Sequence, residues 1–140
     1  MTPLASTHAP SRCGGRSVHE PSGKRWSCST SWRVLATITS SAENDFVFGL
    51  VNDAKFWYRN EFNAGIGPWL GGYQPDGSAE PGGGWSWVSG EDFSYTNWAG
   101  GEPSNSGGAE NKLHLYSNNG ALIDKLWNDV GPTVVNNGYI

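Results

Sequence analysis

Thirteen of the 44 residues from Gly65 to Gly108 are glycine, a density that excludes regular helix or continuous sheet there. Glycine loses more backbone freedom on ordering than any other residue, and a stretch this rich in it forms long shaped loops. Such loops need fixed points, and tryptophan supplies them: Trp69-Leu70, Trp85-Ser86-Trp87-Val88 and Tyr95 to Trp98 interrupt the stretch. Trp85 and Trp87 stand two apart and so share one face of a strand. Core packing explains them more simply than stacking on a sugar ring. With only 16% charged residues and eight Trp, the chain reads as a loop-rich domain packed by aromatics.

A chain of 140 residues has room for one domain and little more. No apolar run reaches the roughly 18–20 residues of a membrane-spanning helix, so no membrane span is expected. No Leu-rich heptad pattern marks a coiled coil. Charge is unevenly spread. Residues 1–33 carry a net charge of +4, whereas residues 34–140 set 12 acids against Lys55, Arg59, Lys112 and Lys125. An acidic body and a pI near 5.2 argue against nucleic acid, whose phosphates call for basic surfaces.

Residues 1–33 hold no helical or alternating pattern; Ser, Arg, Pro, Gly and Cys fill 19 of the 33 positions. They lack the basic start and apolar stretch of a secretion signal. The segment is expected to be either a disordered extension or an out-of-frame translation of a former first helix. Cys13 and Cys28 could close one small disulfide loop in an oxidising compartment, and neither has a Cys-x-x-Cys partner for metal.

Pattern begins at Leu35. Leu35-Ala-Thr-Ile-Thr39 reads as a short strand or extended lead-in, and Ser40 with Glu43 forms a capping-box signature. A helix is predicted from about Ser41 to Asn52, with Phe46, Val47, Leu50 and Val51 as its inward stripe. Beyond the loops, Lys112–Tyr116, Ala121–Asp129 and Val134–Ile140 are predicted strands, with Asn118-Asn119-Gly120 as a tight turn between the first two.

The chemistry-bearing residues lie late in the chain. Glu102 and Glu110 stand eight apart in a Gly/Ser/Asn loop where core packing cannot explain them. Asn128-Asp129 offers an amide oxygen, a carboxylate and a backbone carbonyl at a strand end. Calcium takes 6–8 such oxygen ligands. For any one of these residues an ordinary turn acid is the plainer reading; for the set, a cation site is the better one.

Taken in order, Leu35-Ala-Thr-Ile38, Trp69-Leu-Gly-Gly72, Trp85-Ser-Trp87, Asn97-Trp98-Ala-Gly-Gly-Glu102-Pro103-Ser104 and Trp127-Asn128-Asp129 resemble the C-type lectin-like domain, particularly its bacterial, cysteine-poor members. The resemblance covers residues 34–140 and implies an α+β fold: short antiparallel strands, one or two helices and a long Gly-rich loop region. It places Glu102, Glu110, Asn128 and Asp129 at calcium-ligand positions, with Ser104 at a fifth. It implies that a sugar engages Glu102, Ser104, Glu110 and Asn128 while its hydroxyls coordinate the calcium directly. Pro103 falls where the family has a cis proline. The spacing from Glu102 to Glu110 matches the mannose-binding branch, so the implied partner is a mannose-type glycan and the implied location extracellular or cell-surface.

The chain departs from that pattern in three ways. Ser104 replaces the family's Asn, and with it a carbonyl oxygen and one of two N–H donors; Asn105 could substitute if the loop shifts by one residue. Lys112 and Pro132 stand near where the family carries a cysteine bridge. Residues 1–33 do not match the first strand and helix, and family members usually continue past Ile140, so the domain is expected to be incomplete at both ends. Gln74-Pro75-Asp76 copies the galactose-type motif outside its place, and a Pro-Asp-Gly turn accounts for it.

No nucleophile elbow, phosphate loop or His-x-x-x-His pair is present, and His114, flanked by Leu113 and Leu115, reads as a solvent-facing strand position. No enzymatic activity is expected. Two functions compete: a calcium-dependent carbohydrate-binding module, and a calcium-independent protein-interaction domain or degenerate copy on the same scaffold.

Overall fold

A computed structural model describes residues 35–140. The expectations for residues 1–33, the pairing of Cys13 with Cys28 among them, lie outside the described residues.

Residues 35–39 run extended into helix α1, Ser41–Val51. Ser40 Oγ accepts from the Glu43 amide at 3.3 Å, and the Glu43 carboxylate reaches back to the amide and hydroxyl of Thr39 at 2.7 and 2.8 Å. These bonds satisfy donors that a helix start otherwise leaves open. The inward face of α1 differs from the expectation. Asn44, Val47 and Val51 are buried, whereas Phe46 and Leu50 are 69% and 56% exposed. Asn44 is the reason: its Oδ1 accepts from Trp127 Nε1 at 2.8 Å and its Nδ2 donates to the Lys125 carbonyl at 3.2 Å. A buried polar residue thereby takes the slot that a purely hydrophobic reading assigns to Phe46 and Leu50.

Among the described residues, five strands form one antiparallel sheet: β1 (Tyr58–Arg59), β2 (Gly65–Tyr73), β3 (Ser86–Trp87), β4 (Lys112–Ser117) and β5 (Leu126–Val130). Their order is β1-β2-β4-β5, and β3 also pairs with β2. Pro68 sits inside β2 because the ladder slips register between Ile66 and Trp69, where a residue without an N–H does least harm. Gly67 lets the Trp57 ring lie on the strand, since a Cβ there would come within 2.6 Å of it.

On one face of the sheet, Leu113, Leu115 and Trp127 join Ile38, Val47, Val51, Leu70, Trp85 and Trp87 in the core. Trp127 meets Trp87, Phe93, Tyr95 and Trp98 edge-on, at centroid distances of 5.6–6.2 Å. Trp85 and Trp87 are thus core residues, as expected. On the opposite face Trp69, His114 and Asn128 form one directly paired row across β2, β4 and β5. His114 is fully buried there, not solvent-facing, because the Trp69 and Tyr116 rings and the Asn128 side chain enclose it.

β4 starts at Lys112 as expected and runs one residue further, to Ser117, whereas the two later strands fall short. β5 begins at Leu126, and residues 118–125 form an irregular connection in place of a tight hairpin turn. Asn119 braces it by accepting from the Ala121 amide and the Ser117 hydroxyl at 3.0 Å. Residues 134–140 form no strand; only Tyr139 bridges to Trp69, and the Ile140 amide donates to the Trp69 carbonyl. Gly131, Pro132 and Gly138 break the alternation that suggested one. No helix among the described residues is long and apolar enough to cross a membrane.

Candidate functional site

The site loop starts from an anchored point. The Ala99 amide donates to the Trp127 carbonyl at 2.8 Å, the Trp127 amide to the Asn97 carbonyl at 2.9 Å, and Asn97 Nδ2 to the Lys125 carbonyl at 2.7 Å. Asn97–Ala99 therefore lies along β5, which carries Asn128 and Asp129. The Glu102 amide closes a turn onto the Ala99 carbonyl, and the Glu102–Pro103 peptide is cis. Asn105 then adopts a left-handed conformation (φ 48°, ψ 44°), which Asn tolerates better than most residues. Gly107 and Gly108 follow at φ 73° and 75°.

A pocket of about 480 Å³ opens here, lined on its polar side by Glu102, Ser104, Ser106, Glu110, Asn128 and His114. Tyr58, Phe62, Ile66 and Tyr116 extend it along the sheet. Four of the five expected ligand positions thus face one space. Asp129 lies behind them, fully buried, with one oxygen accepting from the Ser104 amide at 2.9 Å and the other from the Asn105 amide at 2.7 Å. Glu110 Oε2 accepts from the Ser106 amide at 2.5 Å and the Ser104 hydroxyl at 3.3 Å. Asn105 does not replace Ser104: its Oδ1 accepts from the Glu110 amide at 3.1 Å and braces the loop.

Glu102 is the unsatisfied member. Its Oε2 is buried with no hydrogen-bond partner. Burial pushes its carboxyl up to about 6; the Ser104 hydroxyl pulls the other way, and Asp129 and Glu110 raise it further. Glu110 is raised too, chiefly by burial, against the pull of the Ser106 amide. Burial together with Glu102 and Glu110 also raises the Tyr116 hydroxyl. Among the described residues no Lys or Arg forms an ion pair with these acids. Three carboxylates thus gather without a counter-charge, a state that a hard cation relieves.

Oxygen donors alone, with no thiolate, suit calcium rather than zinc. The donor set of Glu102, Ser104, Glu110, Asn128 and Asp129 fits calcium on the ground of the orphaned Glu102 oxygen. As the side chains stand, no three His, Cys, Asp or Glu among the described residues are grouped as metal ligands. The reason is visible in the bonds above, since Asp129 and Glu110 are turned onto backbone amides.

His114 and the braces at Asn105 and Ser106 escape a reading of the sequence. Asn-Ser-Gly-Gly carries a turn signal for the braces, but the pairing of His114 with Asn128 has no sequence signal short of the strand register. His114 Nε2 lies 3.0 Å from Asn128 Nδ2, and burial drives the ring down to about 4 against a smaller upward pull from the Gly67 carbonyl. The misplaced Gln74-Pro75-Asp76 lies outside the pocket: Gln74 Nε2 donates to the Pro81 and Gly83 carbonyls at 2.9 and 2.7 Å, and the Ser78 amide closes the Pro75 turn. A second pocket of about 550 Å³, between Leu35, Trp69, Val88 and Pro132, is mostly apolar and holds none of these acids.

No family model matches the chain. It is 32% identical over 96 residues to ladderlectin from Oncorhynchus mykiss, covering 69% of this chain and 43% of that protein. It is also 32% identical over 127 residues to a perlucin-like protein from Mytilus galloprovincialis, covering 86% of this chain and 70% of the relative. The chain therefore spans less than half of the length of ladderlectin. The fold is similar to the crystal structure of the C-type lectin CEL-I from Cucumaria echinata, with a TM-score of 0.51 and 26% identity, covering 69% of this chain and 59% of that one. Identity at this level over most of a relative, together with the shared antiparallel architecture, shows that the chain belongs to the C-type lectin-like domain family.

Proposed function

We propose that residues 34–140 form a non-catalytic, calcium-dependent carbohydrate-binding module acting outside the cell. The observation that carries this reading is the buried, unpartnered Glu102 oxygen in a pocket shared with Ser104, Glu110 and Asn128. Calcium, when bound, would supply a positive centre able to accept two neighbouring sugar hydroxyls as ligands. The chain's own groups would orient those hydroxyls. Glu102 and Glu110 accept hydrogen bonds from them, and Asn128 and Ser104 stand at the same wall. Glu102 and its spacing to Glu110 favour a mannose-type arrangement of hydroxyls. Ser104 provides one hydroxyl where an Asn would provide an oxygen and two donors, which weakens the sugar contact by about 1.5–3 kcal/mol if a charge-assisted bond is lost.

A calcium-independent protein-interaction role is the second reading, favoured by the amide bonds that already occupy both Asp129 oxygens. Thermal unfolding in millimolar calcium and in chelator separates the two, because a ligand that binds only the native state raises its melting temperature. Mannose and galactose titrations of the calcium-loaded chain then test the sugar. Replacing Glu102 and Asn128 together by Ala should remove both responses; sugar binding that persists in that variant would place the site elsewhere.

A further inference from the structure

We infer that the sugar held in the pocket carries an apolar substituent, such as an aryl group, and that Tyr58, Phe62, Ile66 and Tyr116 receive it. This rests on the pocket being the calcium and sugar site. A cation and two neighbouring hydroxyls engage only one end of the 480 Å³ space, where Glu102, Ser104, Glu110 and Asn128 gather. The space lies in the range of about 300–1,000 Å³ that encloses most of a drug-sized ligand. The remaining wall is open to whatever the sugar bears.

That wall is laid down by the sheet register. Tyr58 pairs directly with Ile66, and Ile66 with Tyr116, so the three side chains form one row on a single face of β1, β2 and β4. The row is continuous with the cation end. The Tyr116 ring lies 5.7 Å from the His114 ring, and His114 Nε2 lies 3.0 Å from Asn128 Nδ2. Phe62 completes the wall and is 81% exposed. Its exposure is not the slack of a loose loop. Asn60 Oδ1 accepts from the Phe62 and Ala64 amides at 3.0 and 2.9 Å, and the Asn60 amide donates to the Ala64 carbonyl at 3.0 Å. Arg59 ties the turn down by donating to the Asn63 and Gly120 carbonyls at 3.0 and 3.1 Å. A turn so braced holds a large apolar ring in water, from which folding gains nothing. A ligand that covers the ring gains its apolar area without having to order the turn. Since Asn60 Oδ1 is already bonded, the turn offers the pocket a ring face more than acceptors for hydroxyls, which suits an apolar group better than a second sugar ring.

Titration calorimetry of methyl and phenyl α-mannoside on the calcium-loaded 140-residue chain tests this. The phenyl glycoside is expected to bind about tenfold tighter. In Phe62→Ser that ratio should fall to about 2 or less, whereas Phe62→Tyr, which keeps the ring, should hold it near the parental value. Phe46→Gln, which removes an exposed ring on α1, should leave the ratio unchanged. Equal binding of the two glycosides by the parent overturns the inference while the calcium and sugar reading stands. A ratio that survives Phe62→Ser overturns it as well. A mannobiose that gains more than the phenyl glycoside, and loses that gain in Phe62→Ser, assigns the wall to a second sugar ring and overturns it too. Should Phe62→Ser fail to fold, the aromatic proton shifts of Phe62 in the parent decide: they are expected to move with phenyl but not methyl mannoside, and their constancy overturns the inference. If neither glycoside binds in calcium, the reading of the pocket as a mannose-type site falls, and the substituent site falls with it.

Discussion

Glu102 and His114 border the same pocket yet respond to acid in opposite directions. Glu102 is raised from 4.5 to about 6 in the folded chain, so folding disfavours its charged form. Its contribution to stability is present below pH 4.5 and is lost as the pH climbs through about 6. His114 is lowered from 6.5 to about 4, so its contribution is present above pH 6.5 and is lost as the pH falls through about 4. The two effects oppose each other between pH 4 and 6.5, and a melting curve of the parent alone would hide both. A difference measurement exposes Glu102. In calcium-free buffer Glu102→Gln is expected to melt above the parent at pH 7, with the gap closing by about pH 4. A gap that does not change with pH would show that the Glu102 carboxyl is not the strained group. Sequence reasoning reaches Glu102, because an acid in a glycine-rich loop has no packing role. It does not reach the direction of its strain, which comes from burial beside Asp129 and Glu110. His114 eludes it for a related reason: alternation with Leu113 and Leu115 says only that the residue faces the other side of the sheet, not whether that side is covered.

Helix α1 shows the same limit for a whole element. Its start is readable because Ser40 and Glu43 form a local motif, and the bonds at Thr39 and Glu43 follow from it. Its orientation is not, because Asn44 holds the inward position through partners more than 80 residues away. Asn44→Ala is expected to cost about 1–3 kcal/mol or more, as Trp127 Nε1 loses its buried acceptor. Phe46→Gln should change stability by no more than about 0.5 kcal/mol. Urea denaturation of both variants checks this pair; a larger loss from Phe46→Gln would mean that its face is covered. Gly49 in the same helix faces open space where a Cβ would stand, so Gly49→Ala should stabilise the chain by about 0.5–1 kcal/mol. Gly65 is the contrast, since a Cβ there would come within 1.9 Å of the Leu122 carbonyl oxygen. Gly65→Ala is expected to cost about 1–3 kcal/mol, because β2 and the 118–125 connection must move apart. Strand lengths are overestimated from sequence wherever apolar alternation runs past a glycine or proline, as at residues 131–138.

At the scale of the molecule, one surface joins loop and sheet: Glu102, Ser104 and Glu110 come from the loop, and Asn128 and Asp129 from β5. A cation shared between them would tie the long loop to the sheet, so calcium should act on the stability of the whole domain rather than locally. Binding to the native state alone adds about 2.7 kcal/mol when calcium is 100 times its Kd. For a domain of this size each kcal/mol raises Tm by about 4–8 °C, which gives an expected rise of about 10–20 °C. The rise should shrink in acid. Calcium needs the ionised carboxylate, and Glu102 takes up a proton near pH 6. The calcium-induced shift is therefore expected to be large at pH 7.5 and small at pH 5, and Glu102→Gln should show a reduced shift at both. Limited proteolysis supplies an independent reading of the same coupling. Cleavage between residues 99 and 111 should slow on adding calcium at pH 7.5 and resume on adding chelator, while local cleavage at the Pro75–Ser78 turn, which lies outside the pocket and is closed by the Ser78 amide on the Pro75 carbonyl, should not respond. A shift equal at both pH values would remove Glu102 from the ligand set. Cleavage indifferent to calcium, with an unchanged Tm, would leave the loop bound to the sheet by its amide bonds to Asp129 alone.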